Sequence, residues 1–277
     1  MSTVGFVLHP GHAQANDLWE SSRLVLQRLG VGAVVVADGH HEEVVAIVSL
    51  GGDGTMLRAV AEAVAHDVPV LGVNLGHLGY LAEVEPSELQ EALSRLVTCD
   101  YQLSERHLLC AEVLRGASQA VEQRYLALNE IVIERAESGH VIRGDVAIDG
   151  EFFLHYDADG LIISSATGST AYNLSARGPI VAPEVECVIV TPISPHTLFD
   201  RSLVFGPHQT VEFSLLAGPG AAVMVDGAVT EVILPGDRVR VCQSSERAKL
   251  VRFKTIAFQK VLRRKFRLSD MYAEEGA

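Results

Sequence analysis

Basic residues are scarce in this chain. It carries 22 Lys and Arg against 35 Asp and Glu over 277 residues, a formal net charge of −13. A general grip on DNA or RNA needs clustered Lys and Arg, so the balance argues against nucleic acid as a partner. Any anionic ligand has to be held by local groups rather than by the overall field. Cysteine is also scarce. Cys99, Cys110, Cys187 and Cys242 form no CxxC pair and stand beside apolar or strand-like residues, which points to reduced, buried thiols. No apolar run is long enough to span a bilayer. Residues 1–10 lack the basic region, apolar core and cleavage site of a signal peptide, and read as a first strand. A soluble cytoplasmic protein with no membrane partner is the expectation. Hydrophobic residues make up 48% of the chain, enough for a full core in one large domain or two ordinary ones.

What is present is organised around residues 44–55. A largely apolar run, 44–50, ends in Gly51, Gly52 and Gly54 wrapped around Asp53. Met56, Leu57, Val60, Ala61 and Val64 then recur at helical spacing. The pattern predicts a buried strand, a tight turn and a helix. Glycines let backbone N–H groups approach a ligand closely, and such groups beside a helix N-terminus make an anion site. An ordinary turn needs one Gly or Asn, so three glycines around a carboxylate favour phosphate chemistry.

Upstream, the pattern gives a strand at 4–8, a helix at about 16–29 and strands at 34–36 and 44–50. Strands alternating with helices mean βαβ units and a parallel sheet. Downstream, residues 68–81 run from a strand into a loop with Gly72, Gly76 and Gly79, placed as a second wall of the same cleft. Pro86 and Ser87 open a helix over 88–97. After Cys99 the helical period fades. Short strands are predicted at 108–114, 125–133, 141–148, 152–156, 160–164, 187–190, 210–215, 221–225 and 238–242, punctuated by turns such as Asp226-Gly227. The stretch 255–265 returns to helical spacing through Ile256, Val261 and Leu262. The predicted organisation is an α/β domain, residues 1–98 with 253–277 packing back, and an all-β domain, residues 99–252.

The β-rich half holds a second constellation. Asn129 and Glu130 interrupt the apolar run 126–133. A buried polar pair there needs partners, and a solvated strand edge explains it equally well. Over 159–179, a strand opens into a hydroxyl-rich loop around Gly168 and then into a helix starting near Ser169. Ser and Thr cap helices well, and their hydroxyls and N–H groups can also hold ribose or phosphate oxygens. An ordinary cap does not account for five hydroxyl residues between Ser164 and Thr170. Tyr172 can stack on a ring or bond a carboxamide. His196, in the proline-flanked turn 191–198, is read as a structural histidine.

These segments, in this order, resemble NAD kinases. The resemblance rests on Gly51-Gly52-Asp53-Gly54-Thr55, the 72–81 loop, Asn129-Glu130, the 159–179 segment and Pro195-His196-Thr197-Leu198, and covers residues 4–260. The first motif is shared with diacylglycerol, sphingosine and phosphofructokinases. Gly168-Ser169-Thr170-Ala171-Tyr172, followed by Leu174-Ser175-Ala176, is more specific. Three positions depart from the family's usual pattern: Ala166 for Pro, Arg177 for Gly and Tyr80 for Phe. The resemblance implies a Rossmann-like α/β domain followed by an all-β NAD-binding domain. It implies transfer of the γ-phosphoryl of ATP, or of polyphosphate, to the 2′-hydroxyl of the adenosine ribose of NAD. Asp53 becomes the general base. By the same resemblance, Gly51, Gly52, Gly54 and Thr55 would cradle donor phosphates with Mg²⁺. Arg58 either neutralises phosphate charge or is an exposed helical arginine. The resemblance also implies that Asp53, Gly54, Asn129, Glu130, Asp159, Thr170, Ala171, Tyr172, Asn173, Leu174 and Ser175 line the NAD site. No carboxylate set has metal-ligand spacing, so Mg²⁺ comes with the nucleotide. A homodimer or homotetramer is implied as well. Two other readings stay open: a lipid kinase, which would want an apolar cleft or a basic face, and a dinucleotide sensor that binds without transfer.

Overall fold

A computed structural model of the chain describes residues 2–36, 43–76, 79–116, 121–254, 257–266 and 268. It forms two compact units. The first is built from residues up to Glu105 together with those from Ala248 onward, and the second from Arg106–Arg247. The divisions fall inside two long strands, not at the changes of texture near 98/99 and 252/253, because a strand that passes from one unit to another keeps its alternation throughout.

The first unit begins with β1 (Thr3–Leu8), α1 (Ala13–Arg28), β2 (Gly32–Val35), β3 (Ala46–Gly51), α2 (Asp53–Ala65), β4 (Val70–Asn74) and α3 (Leu89–Val97). All strand pairings are parallel, in the order β2-β1-β3-β4. β3 and β4 are buried along their whole length, which explains why their sequences are apolar apart from Ser49 and Asn74. α3 buries Leu89, Ala92, Leu93 and Leu96, one face at the 3–4 spacing of a helix. A capping box between Glu85 and Glu88, with Pro86 at the first position, starts the short 3₁₀ turn that leads into it. Phe6, Leu26, Val48, Leu50, Leu71 and Leu93 centre the core.

The second unit contains most of β5 (Gln102–Leu114), β6 (Val121–Ala127), β7 (Glu130–Arg135), β8 (Ile142–Ile148), β9 (Glu151–Ala158), β10 (Gly160–Ser165), α4 (Tyr172–Ser175), β11 (Val188–Ile193), β12 (Leu203–Phe205), β13 (Val211–Ala217), β14 (Ala221–Val225), β15 (Ala228–Ile233) and most of β16 (Arg238–Arg252). β12-β11-β10-β7-β14-β15 form one antiparallel sheet, and β13 pairs antiparallel with both β8 and β16. One core draws on both sets, with Ile131, Ile133, Leu161 and Ile163 facing Val146, Tyr156, Phe213 and Val239. The last residues of β16 belong to the first unit, where Leu250 lies parallel to Val70 of β4. α5 (Phe258–Lys265) follows there; Ile256 lies outside the described residues.

Three expectations are corrected. The run 125–133 is not one strand: it breaks between β6 and β7, after Ala127 and before Glu130. The helix placed near Ser169 is a 3₁₀ turn, Thr167–Thr170, followed by the single-turn α4. Cys99 is exposed, in a turn with φ 57°, while Cys110 and Cys187 are buried; all four thiols are free. Among the described residues, no helix is long and apolar enough to cross a membrane.

Gly144 of β8 lies under the Phe213 ring, and an added Cβ would overlap that ring. Gly144→Ala should therefore destabilise the second unit by about 1–3 kcal/mol in urea unfolding, the cost of overpacking a filled core.

Candidate functional site

β3 delivers the glycine–aspartate turn to the carboxyl end of a parallel sheet, where open α/β sheets hold their ligands. Gly52 is an extended N-cap (φ −94°, ψ −168°), and no side chain caps the helix. Helical geometry leaves the N–H groups of Gly52, Asp53 and Gly54 without an intrahelical acceptor, where an anion is favoured. The three glycines have different reasons to be glycine. At Gly51 a Cβ would run into the side chain of buried Thr55. At Gly52 and Gly54 nothing lies within 4 Å of a Cβ position, so packing does not demand glycine and the backbone is bare. Arg58 is exposed, yet Nη2 donates to the Leu8 carbonyl at 2.9 Å, which keeps the guanidinium at the carboxyl end of β1, the neighbour of β3.

Asp53 is held from the 79–81 loop. Its Oδ2 accepts the Tyr80 N–H at 3.2 Å and its Oδ1 the Leu81 N–H at 3.4 Å. Gly79 must lack a side chain, because a Cβ there would fall on the Asp53 carboxylate. The loop expected to wall the same cleft is thus brought to the turn. His77 and Leu78 lie outside the described residues.

In the second unit, the break between β6 and β7 is made by Asp226. Its carboxylate accepts the N–H groups of Leu128 (2.8 Å), Asn129 (2.7 Å) and Glu130 (3.2 Å). The Asp226 N–H in turn donates to the Glu130 carbonyl at 3.1 Å. Asp226 adopts a left-handed φ of 48° in the turn between β14 and β15. Burial pushes its carboxyl up, and the three N–H donors oppose that. The sequence marks Asp226-Gly227 only as a hairpin turn, so its hold on a segment almost a hundred residues upstream carried no signal.

Asn129 and Glu130 are both buried, so the solvated-edge reading is set aside. Burial, and then the Asp226 charge, push the Glu130 carboxyl up to about 8; the Tyr172 N–H opposes this. Glu130 Oε2 is buried without a protein partner. Near neutral pH the group is a neutral acid, able to donate one hydrogen bond and accept others.

The hydroxyls of Ser164, Ser165, Ser169 and Thr170 bond the protein itself. Ser165 Oγ donates to Leu128 O at 2.6 Å and accepts the Gly168 N–H at 3.1 Å. Ser164 Oγ reaches Asn129 O at 3.3 Å, and Ser169 Oγ bonds both backbone groups of Val181. A Cβ on Gly168 would meet the Asn129 carbonyl. These residues sew the loop to the Asn129–Glu130 edge. Asn173 is fully buried: its Nδ2 donates to Ser169 O and Pro179 O, and its Oδ1 accepts from Thr191. Its amide is committed internally. Thr170 Oγ1 turns back to Thr167 O. Ala171, Tyr172 and Leu174 are half-buried and Ser175 is exposed. Burial, then the charges of Glu134, Asp159 and Glu130, raise the Tyr172 phenol, so the hydroxyl stays protonated. Asp159 pairs with Arg135 at 2.7 Å. His196 is exposed, and its backbone N–H bonds Asp157 O.

Two family models match the chain: the ATP-NAD kinase N-terminal domain over residues 33–101 and the ATP-NAD kinase C-terminal domain over residues 128–253. The NAD kinase of Heliobacterium modesticaldum is 40% identical over 282 residues, covering 96% of this chain and 98% of that protein. The NAD kinase of Moorella thermoacetica is 42% identical, covering 82% and 73%. Among solved structures, an NAD kinase from Archaeoglobus fulgidus in complex with ATP superposes with a TM-score of 0.72 at 26% identity, over 96% of this chain and 98% of that one. Yeast NADH kinase complexed with NADH gives 0.86 at 22% identity, over 100% and 90%, a likeness of fold.

Glu130 gives a pH signature. Its folded value of about 8 stands above the ordinary 4.5, so the folded chain keeps a proton that the unfolded chain releases. Its contribution to stability is complete at acid pH and is lost as pH rises through that window toward about 8. Glu130→Gln should flatten this part of the stability–pH curve, read by thermal melts from pH 4 to 9. Arg177 sits at φ 67° after α4. Arg177→Gly should relieve about 1 kcal/mol of left-handed strain and raise the melting temperature.

Proposed function

The chain belongs to the NAD kinase family and is a phosphotransferase, and on that basis we propose how its residues divide the transfer of a phosphoryl group from ATP to NAD. Asp53 is the general base that takes the proton of the adenosine 2′-hydroxyl. The observation that carries this is its setting: a carboxylate on the first residue of α2, flanked by two glycines whose Cα faces are open, at the ligand end of the sheet. Phosphoryl transfer asks the protein chiefly for positioning and charge stabilisation. The bare N–H groups at Gly52, Asp53 and Gly54 suit donor phosphates, Gly51 and Thr55 pack beneath them, and Arg58 supplies a positive charge at the same edge.

NAD is assigned to the second unit. Asn129 and neutral Glu130 bond ribose hydroxyls or adenine nitrogens. Asp159, Thr170, Ala171, Tyr172, Leu174 and Ser175 line the nicotinamide side, with Asn173 shaping the loop from within. The unpartnered Glu130 Oε2 is the strongest support, since a buried polar atom of this kind calls for a partner. Among the described residues, no three His, Cys, Asp or Glu side chains gather as a metal site. A divalent cation would come with the nucleotide, where it would neutralise phosphate charge. The exposed aromatics Phe152, Phe153 and Phe199 of the second unit favour a homo-oligomer, and a cytoplasmic setting accords with four free thiols. The family matches favour neither the lipid kinase nor the sensor.

Purified protein with ATP, Mg²⁺ and NAD should yield NADP; a parallel panel with polyphosphate and NADH fixes donor and acceptor. Asp53→Asn should keep NAD binding and lose about 10²–10⁴-fold in turnover. Unchanged turnover in that variant removes Asp53 from the mechanism.

A further inference from the structure

The loop that holds Asp53 is itself held from the far end of the chain. Leu81 donates its N–H to Asp53 Oδ1, and its carbonyl accepts Arg252 Nη1 at 2.9 Å. The same Nη1 lies 3.5 Å from Glu83 Oε2. Glu83 Oε1 accepts the N–H groups of Phe253 (3.1 Å) and Lys254 (2.9 Å). The N–H groups of Glu83 and Val84 donate to the carbonyl of Gly72 in β4, so the loop is tied to the sheet at its base. Both side chains of the ion pair are largely buried, Arg252 at 18% exposure and Glu83 at 10%.

We propose that Arg252 and Glu83 are positioning residues for the catalytic step: together they lock the 79–81 backbone so that two N–H groups keep the Asp53 carboxylate in one orientation. This rests on Asp53 acting as the general base. A buried ion pair is a poor device for stability alone, since well-packed apolar residues usually serve as well or better. What an apolar pair cannot do is donate to a chosen carbonyl. Arg252 spends a donor on Leu81, the residue whose N–H meets Asp53, and its guanidinium stays cationic although burial lowers its affinity for the proton. Gly79 gives the carboxylate room, Tyr80 and Leu81 supply the donors, and Arg252 sets the peptide that carries the second of them. A shift of about 1 Å in a reacting group can cost on the order of 10²-fold in rate, so this anchor has leverage without touching a substrate.

The test uses the full-length chain and turnover counted per NAD-binding site, so that misfolded molecules do not enter. Arg252→Met should lower kcat about 10- to 100-fold while the KM values for NAD and ATP stay within about twofold. Arg252→Lys, which keeps a donor for the Leu81 carbonyl, should recover most of the loss. Glu83→Gln, which keeps the acceptor for the Phe253 and Lys254 N–H groups, should give a smaller loss of the same kind and stands in if Arg252→Met does not fold. The decisive arm places each change on Asp53→Asn. If the pair works through Asp53, the double variants are no slower than Asp53→Asn alone. An equal further loss in that background, or unchanged turnover per site in both Arg252→Met and Glu83→Gln, overturns the proposal while leaving the Asp53 assignment intact. Wild-type turnover in Asp53→Asn by itself overturns both.

Discussion

One interaction recurs at both candidate segments: a carboxylate accepting backbone N–H groups from a stretch of chain remote in sequence. Asp53 takes two from the 79–81 loop, and Asp226 takes three from residues 128–130. A backbone N–H cannot rotate away as a side chain can, so these contacts fix loops that no regular ladder reaches. Charge-assisted bonds of this type are the stronger kind, and each would leave several orphaned donors if its carboxylate were removed. The rest of each site depends on them. Without Asp226 the strand run 125–133 has no reason to break where Asn129 and Glu130 stand, and Glu130 loses the neighbour whose charge helps keep it protonated.

The α/β unit was legible in the sequence because its signals are local. Largely apolar runs mark β3 and β4, the 3–4 spacing marks α3, and Pro86 marks where that helical segment begins. The turn at 51–55 announces itself through three glycines, though the chain uses them unequally: one for close packing, two for bare backbone. The β-rich unit was legible as a class and less so in detail. β12 has three residues and β15 is largely exposed, so neither presents a clear apolar pattern. The break at 128–129 depends on a partner almost a hundred residues away, which periodicity cannot express.

The hydroxyl-rich loop teaches the opposite lesson. Its composition suits ligand oxygens, yet Ser164, Ser165 and Ser169 direct their oxygens to backbone groups of the protein itself. They define a surface by holding the edge behind it. Arg177 shows a further limit: its departure from glycine was visible, but only the φ of 67° says why glycine belongs there. Ala166, at φ −59° and ψ −37°, keeps a φ that proline would adopt, so its departure leaves the backbone path in place.

The parallel pairing of Leu250 with Val70 has a consequence for biogenesis. Chains emerge from the ribosome with their N-terminal segments first, so β1 to β4 are available long before β16 exists. The sheet that leads into Asp53 must wait with one edge unfinished while the 176 residues from the end of β4 at Asn74 to Leu250 are added. The Glu83 carboxylate likewise waits for Arg252, Phe253 and Lys254. A nascent chain can thus form its glycine–aspartate turn early and still lack the last anchor of the loop that holds Asp53, which arrives only at the close of synthesis, when a late strand completes an early sheet.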